Sequence, residues 1–145
     1  MIVPINSFGK ASVDQIALFE STIGVLLPND YRDFLLKNNG GVLVDCMIRP
    51  AGLNEDVLLD VMFGLQLDEN LDLQFWLEEY SGEMPSESLL IGSDSGSNFI
   101  LMIISGESKG VYYWDHTHFF SDSSMEDGNT YFICDDFNEF LNLIN

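Results

Sequence analysis

The chain has 145 residues, of which 46% are hydrophobic and 11 are phenylalanine. This composition predicts one domain with a packed core and excludes intrinsic disorder. The formal net charge of −19 argues against binding to nucleic acid or to an anionic membrane, because affinity for both depends on Lys and Arg.

The first 40 residues predict a pair of helices. Ser12 and Gln15 have the spacing of a capping box. Apolar residues then recur at helical spacing from Val13 until Gly24, which is suited to end the helix.

The second helix of the pair has signals at both ends. Pro28 suits the first helical position, where a missing N–H costs nothing. Tyr31, Phe34 and Leu35 form an apolar stripe at helical spacing. The segment Asn39–Gly41 tolerates positive φ and is expected to end the helix.

The middle of the chain predicts two strands and a third helix. The strands are Val42–Ile48, which Pro50 stops, and Val57–Leu65, in which Asp60 interrupts the apolar residues. The segment Asn70–Tyr80 has the spacing of a helix. One face of this helix carries Leu73, Trp76, Leu77 and Tyr80.

Three further strands are predicted at Leu89–Ile91, Asn98–Ile104 and Gly110–Trp114. The last two are joined by a short polar turn, which predicts an antiparallel hairpin.

The C-terminal part begins with a polar acidic loop, Ser121–Gly128, and continues with a strand at Tyr131–Cys134. Asp135 or Asp136 then caps a final helix. The apolar face of that helix is formed by Phe137, Phe140, Leu141 and Ile144. Together the elements predict a single α+β domain over residues 1–145. Its mostly antiparallel, twisted sheet has about five to six strands, with an N-terminal helical pair, a middle helix and a C-terminal helix.

The compartment follows from three features. Met1–Gly9 has neither the basic start nor the apolar core of a signal peptide. The longest purely apolar run, Phe99–Ile104, is far shorter than the ~20 residues that a membrane helix needs. The sequence therefore predicts a soluble, cytoplasmic protein in which Cys46 and Cys134 are buried free thiols rather than a disulfide.

Three segments, taken in order, resemble the SUKH superfamily: Leu27–Gly41, Leu89–Leu101 and Gly110–His116, preceded by the helix Ser12–Gly24. The resemblance covers Val13–Ile144. It implies an α+β fold in which the Gly-rich turn of the second segment borders a cleft. The superfamily includes bacterial immunity proteins and yeast regulators of cell-wall synthesis, and it implies no shared catalytic residues.

No catalytic or cofactor motif competes with this interpretation. The pair His116 and His118 with Asp115 and Cys134 could form a metal site, but no CxxC or HExxH motif supports one. No Ser lies in a G-x-S-x-G motif, and neither Cys has a His beside it in sequence. The chain is therefore predicted not to be an enzyme and to need no cofactor.

Two loops could be mistaken for ligand sites. Gly92–Ser97 resembles a phosphate loop, but it lacks a Lys and a following helix. Counted from Asp122, the loop places Ser124 third and Asp127 sixth, which fails the calcium-loop pattern. A weak, non-specific cation site on the many carboxylates remains an alternative.

The acidic charge is unevenly distributed. Residues 1–49 carry a net −1, whereas residues 50–145 contain a single base, Lys109, and carry a net −18. The asymmetry favours a basic protein partner, although acidity that only maintains solubility is an alternative.

We therefore expect a monomeric immunity protein that binds a basic toxin domain, of nuclease type, and occludes its active site. A regulatory scaffold of the yeast type and a small-molecule binder are the alternatives. The residues predicted to contact the toxin are Asp68, Glu69, Asp72, Glu78, Glu79 and Glu83 around the third helix, and Trp114, Asp115, Asp122, Glu126 and Asp127 near the acidic loop.

Overall fold

The computed structural model describes residues 4–115 and 130–144. These residues form one eight-stranded sheet with four α-helices. The helices are α1 (Val13–Ile23), α2 (Asn29–Lys37), α3 (Leu73–Tyr80) and α4 (Phe137–Ile144). The strands are β1 (Ile5–Ser7), β2 (Gly41–Leu43), β3 (Met47–Ile48), β4 (Val57–Met62), β5 (Ser88–Asp94), β6 (Phe99–Ile103), β7 (Gly110–Trp114) and β8 (Thr130–Cys134).

The predicted α+β class and antiparallel sheet are confirmed, but eight strands replace the predicted five to six. The strand order is β1-β2-β4-β5-β6-β7-β8, and β3 pairs with the start of β4. The N-terminal lead-in supplies β1, and the predicted strand Val42–Ile48 is two strands. They are separated at Asp45, whose φ of 52° interrupts an extended strand.

Helices α2 and α4 pack together on one face of the sheet. The ring of Phe137 lies 4.9 Å from that of Tyr31 and 5.1 Å from that of Phe34. On the sheet side, Phe137 lies beside the paired residues Met102 and Val111. The predicted apolar face of α4 is therefore confirmed, because all four of its residues are buried in the core.

The predicted ends of α1 are also confirmed. The Ser12 side chain accepts from the Gln15 N–H at 3.1 Å, and the Gln15 side chain accepts from the Ser12 N–H at 2.8 Å. Gly24 ends the helix in the left-handed region at φ 78°. At the start of the helix, Val13 is 69% exposed and lies outside the core.

The predicted ends of α2 differ from the observed ones. Pro28 was expected at the first helical position but is the N-cap, so the helix begins one residue later than predicted, at Asn29. The helix ends at Lys37 and Asn38 is already extended, so the helix stops before the predicted terminating segment Asn39–Gly41, within which Gly40 has the expected positive φ of 76°.

Asn39 and Gly40 instead join the end of α2 to the end of β4. The buried Asn39 amide donates to the Leu65 carbonyl at 2.9 Å and accepts from the Leu65 N–H at 2.7 Å. A Cβ on Gly40 would lie 2.6 Å from the Met62 carbonyl oxygen, so only glycine permits this approach. We call the two Asn39–Leu65 hydrogen bonds the Asn39 clasp.

The prediction for the cysteines is confirmed, because Cys46 and Cys134 are both buried free thiols. Within residues 4–115 and 130–144, no helix combines the length and the hydropathy required to span a bilayer.

Candidate partner-binding surface

Helix α3 packs against β5, on the face of the sheet opposite to α4. A 3-10 turn at Glu69–Leu71 precedes it, so the α-helix begins three residues later than predicted. The Asp72 carboxylate caps the helix by accepting from the Phe75 N–H at 3.1 Å. Asp72, which was predicted to contact a partner, is therefore half-buried and has a structural role.

Trp76 fastens α3 to the sheet. Its ring stacks on Phe63 at 5.7 Å and lies 5.1 Å from the ring of Phe99. The indole N–H donates to the Asn70 carbonyl at 3.0 Å. The prediction that Trp76 packs on the core is confirmed, and its half-buried ring forms part of a groove wall.

A row of side chains crosses the sheet beneath α3. Direct pairing places Val42 beside Val61, Val61 beside Ser93, Ser93 beside Phe99, and Phe99 beside Trp114. Cross-strand neighbours on adjacent strands share a face of the sheet. Because α3 covers the middle of this row, a groove remains on each side of the helix.

The groove on the β2 side, which we call the tryptophan groove, has a volume of about 600 Å³. Ser93 and Ser97 of the Gly-rich turn line it, which agrees with the cleft that the family resemblance implies. Its other lining residues are Phe8, Val42, Asp60, Val61, Phe63, Asn70, Leu71, Trp76, Tyr80 and Phe99.

The groove on the β8 side, which we call the hairpin groove, has a volume of about 640 Å³. Its apolar floor includes Leu101, Tyr112 and Phe132, which are cross-strand neighbours on β6, β7 and β8. Glu83 and Glu107 line the groove, and its described lining contains no Lys or Arg.

The predicted carboxylates near α3 are mostly available to a partner. Asp68, Glu69, Glu78, Glu79 and Glu83 are exposed. Within the described ranges, the ion pairs are Arg32–Glu20 at 2.7 Å and Arg49–Asp56 at 3.3 Å. The structure therefore brings these five carboxylates to one side of the sheet without pairing them with a base from the described residues.

The structure revises the second part of the predicted set. Trp114 is 8% exposed, because Tyr80 and Phe99 contact its ring from α3 and β6 at 5.6 and 6.1 Å. Asp115 is 6% exposed. Neither side chain offers much surface to a partner.

The remaining predicted positions follow Asp115 in the sequence. Asp122, Glu126 and Asp127 lie outside the described residues, as do His116 and His118. Within the described residues, no three His, Cys, Asp or Glu side chains form a group that could hold a metal ion.

The Gly-rich turn is organised by a buried carboxylate. Asp94 accepts from the N–H groups of Gly96 and Asn98 at 2.9 and 2.8 Å, and from the Tyr113 hydroxyl at 2.6 Å. Burial, and then the bond to Asp94, raises the pKa of Tyr113 above its usual value, so this hydroxyl remains a donor. The backbone amides that a phosphate would need are therefore partly occupied by the protein's own carboxylate.

The glycines of this turn do not supply its left-handed residue. The residue with positive φ is Ser97, at 68°, rather than a glycine. Gly92 lies inside β5 at a register shift, where a Cβ would lie 2.7 Å from the Val61 carbonyl oxygen. Gly92 therefore permits a close approach of two strands.

Sequence reasoning missed the wall of the tryptophan groove that faces α3. Phe8 was assigned to no helix or strand and Val42 to a strand, and neither was assigned to a site. Asp60 gave a detectable signal, because a lone carboxylate in an apolar run marks the solvent side of a strand. Which exposed surface it faces is determined only by the pairing of β4 with its neighbours.

Comparison with known proteins places this architecture in a family. The sequence model of the family described as "SMI1 / KNR4 family (SUKH-1)" matches residues 10–143 of this chain. The chain is also 31% identical, over an alignment of 145 residues, to the SPbeta prophage-derived uncharacterized protein YokK of Bacillus subtilis (strain 168). That alignment covers 88% of this chain and 71% of YokK. The resemblance inferred from three sequence motifs is thereby confirmed.

Proposed function

This chain belongs to the SMI1 / KNR4 family (SUKH-1), and we propose that it is an immunity protein that binds a cognate toxin domain and occludes its active site. The observation that carries the proposal is the set of exposed carboxylates on the outer side of α3, unpaired with any base of the described residues. Membership of this family and similarity to a prophage-derived bacterial protein support the immunity interpretation over a regulatory scaffold of the yeast type.

Charge complementarity indicates the class of toxin. A nuclease must hold its nucleic acid in a basic cleft, because affinity for phosphates depends on Lys and Arg. A protein of net charge −19 can occupy such a cleft with carboxylates in place of phosphates. Opposite charge accelerates the encounter, and a few desolvated contacts then determine the affinity.

The geometry of α3 suits this role. Trp76 and Tyr80 face the sheet, whereas the neighbouring Glu78 and Glu79 face solvent. A helix held by aromatic stacking on one side therefore presents acids on the other. Because α3 is anchored before the partner arrives, little conformational entropy is lost on binding.

The first experiment identifies the partner. Tagged protein is recovered from lysate of its native cell at about 0.05 M and about 0.5 M salt, between which the Debye length falls several-fold. One stoichiometric basic partner, retained at high salt and toxic when expressed alone, is the expected result. Several partners, or contacts that salt removes entirely, would contradict the proposal and favour the regulatory scaffold.

The second experiment tests the α3 surface with a double charge reversal. Glu78→Lys with Glu79→Lys should slow association with that toxin at low salt and weaken protection of cells that express it. The matched control is Asp33→Lys with Glu55→Lys, which changes the net charge equally at two exposed positions outside α3. If both double variants slow association equally, overall charge rather than the position of α3 is responsible. If Glu78→Lys with Glu79→Lys leaves the association rate unchanged, α3 is excluded as the contact surface.

A further inference from the structure

We propose that the tryptophan groove is the site that receives an apolar side chain of the toxin, and that Lys or Arg flanks this side chain in the toxin. The proposal rests on the proposed function and names the part of this surface that determines affinity. The acidic side of α3 would then determine the rate of encounter.

The first reason is exposed apolar surface in a concave site. Phe8 is 37% exposed and Val42 is 42% exposed, and both line the groove opposite Trp76. Beneath them, Phe63 and Phe99 are 2% and 3% exposed and close the floor. A groove of about 600 Å³ lies within the range of about 300–1,000 Å³ that is typical of ligand pockets.

The second reason is charge. Asp60 lines the sheet side of the groove, and no Lys or Arg is among its described lining residues. On the α3 side, the exposed Asp68 and Glu69 lead directly into Asn70 and Leu71, which form the wall. A cation next to the inserted side chain would therefore meet carboxylates at both rims.

The same charges argue against a second copy of this chain. Each copy carries a net −19. A two-fold symmetric contact through the groove would also bring one Asp60 towards its symmetry mate or towards other acids. Like charges placed together across an interface disfavour the contact.

The third reason is rigidity. Val42, Val61, Ser93 and Phe99 belong to strands that are paired from β2 through β4 and β5 to β6, and the backbone N–H groups of Phe8 and Phe63 donate to the carbonyls of Gly40 and Ile91 at 3.1 and 2.9 Å. The wall on the α3 side is held by Trp76, through its stacking on Phe63 and its hydrogen bond to the Asn70 carbonyl. A preformed site avoids the entropy cost of ordering side chains on binding.

The test uses the toxic domain recovered above as the probe and measures its dissociation constant. Val42→Arg places a cation in the groove, and we expect it to weaken binding at least ~30-fold, as for other interface anchors. Val13→Arg is the matched control, because Val13 is 69% exposed on α1. It should change binding less than about twofold.

A second pair of variants guards against misfolding of the first. Phe8→Ala should also weaken binding, whereas Leu26→Ala, at a residue that is 70% exposed outside the groove, should not. Asp60→Asn should lower the association rate at low salt and leave urea unfolding unchanged. A shift of the Trp76 indole N–H resonance on toxin binding should report occupancy directly.

The outcomes separate this proposal from the one on which it rests. If the wild-type protein does not neutralise the toxin, the proposed function fails. If it does, but folded Val42→Arg and Phe8→Ala bind within twofold of wild type, the groove proposal is overturned. Resonance shifts centred on Tyr112 and Phe132 would move the contact to the hairpin groove. A dimer of the free protein that Val42→Arg dissociates would assign the groove to self-association. Either the shifts at the hairpin groove or this dimer would overturn the proposal.

Discussion

Replacing Asn39 with alanine tests the Asn39 clasp, which joins α2 to the segment that leads from β4 into the 3-10 turn Glu69–Leu71. The side chain makes two hydrogen bonds to the backbone of Leu65, at 2.9 and 2.7 Å. Asn39 is 6% exposed and Leu65 is 3% exposed, so water cannot readily replace either bond. Asn39→Ala therefore leaves a buried N–H and a buried carbonyl unsatisfied.

The size of the effect follows from these contacts. Each buried backbone group left without a partner costs about 1–3 kcal/mol. Because two such groups lose their partner, we expect Asn39→Ala to lower the free energy of unfolding by about 2–6 kcal/mol, which corresponds to a Tm decrease of roughly 6–18 °C for a chain of this length. Urea unfolding, followed by circular dichroism, measures the change, and the m-value should remain constant.

The neighbouring residue provides the control. The Asn38 side chain makes no hydrogen bond to the described part of the protein, so Asn38→Ala should cost less than about 0.5 kcal/mol. A loss below about 0.5 kcal/mol for Asn39→Ala as well would refute the reasoning, because it would show that the two bonds contribute little to stability.

Asn39→Asp adds a pH test of the same clasp. A buried carboxylate facing the Leu65 carbonyl should have a pKa above the usual value of about 3.9, because only the protonated acid can donate there. The stability of this variant should therefore be greatest below about pH 4 and should fall as pH rises through the raised pKa. A pH profile parallel to that of the wild type would show that the side chain does not face the carbonyl.

Three further predictions concern stability and reactivity. Gly92→Ala should destabilise the fold by about 1–3 kcal/mol, because its Cβ would lie 2.7 Å from the Val61 carbonyl oxygen, whereas Gly96→Ala, with no contact under 3.6 Å, should be near neutral; equal urea midpoints would contradict this. Tyr31→Phe should leave stability unchanged or raise it by up to about 1 kcal/mol, because the buried Tyr31 hydroxyl has no hydrogen-bond partner in the described structure; a Tm decrease of several degrees would reveal a partner. Burial, and then nearby carboxylates, raise the pKa of Cys134 to about 12, so native protein at pH 8 should react with a thiol reagent only as fast as it unfolds. The contribution of the thiol to stability should be complete below about pH 9 and should be lost as pH rises towards 12. Rapid labelling of folded protein would disprove the burial.

The candidate site was only partly predictable from the sequence. The periodicity around Trp76 correctly placed it on the inner face of a helix, so the adjacent Glu78 and Glu79 were correctly expected to face solvent. Trp114 and Asp115, at the end of a predicted strand, were predicted to contact a partner. Both are buried, and the burial of Trp114 depends on Tyr80 and Phe99 from other elements, which no local pattern reveals.

The sequence by itself determined the features that depend on neighbours within about four residues. The capping box of Ser12 and Gln15 and the apolar stripe of α4 are of this kind, because their hydrogen bonds and side-chain contacts repeat with the period of a helix. The choice between Asp135 and Asp136 as the cap of α4 required the geometry, in which Asp136 accepts from the Glu139 N–H at 2.8 Å.

Only the tertiary structure decided the features that join distant parts of the chain. The segment Asn39–Gly41 reads locally as a helix end, yet Asn39 forms its clasp with a residue 26 positions away. The tryptophan groove likewise combines Phe8, Val42, Asp60 and Trp76 from four separate segments. Such contacts depend on strand pairing and packing, which are selected by the burial of the whole core rather than by any local pattern.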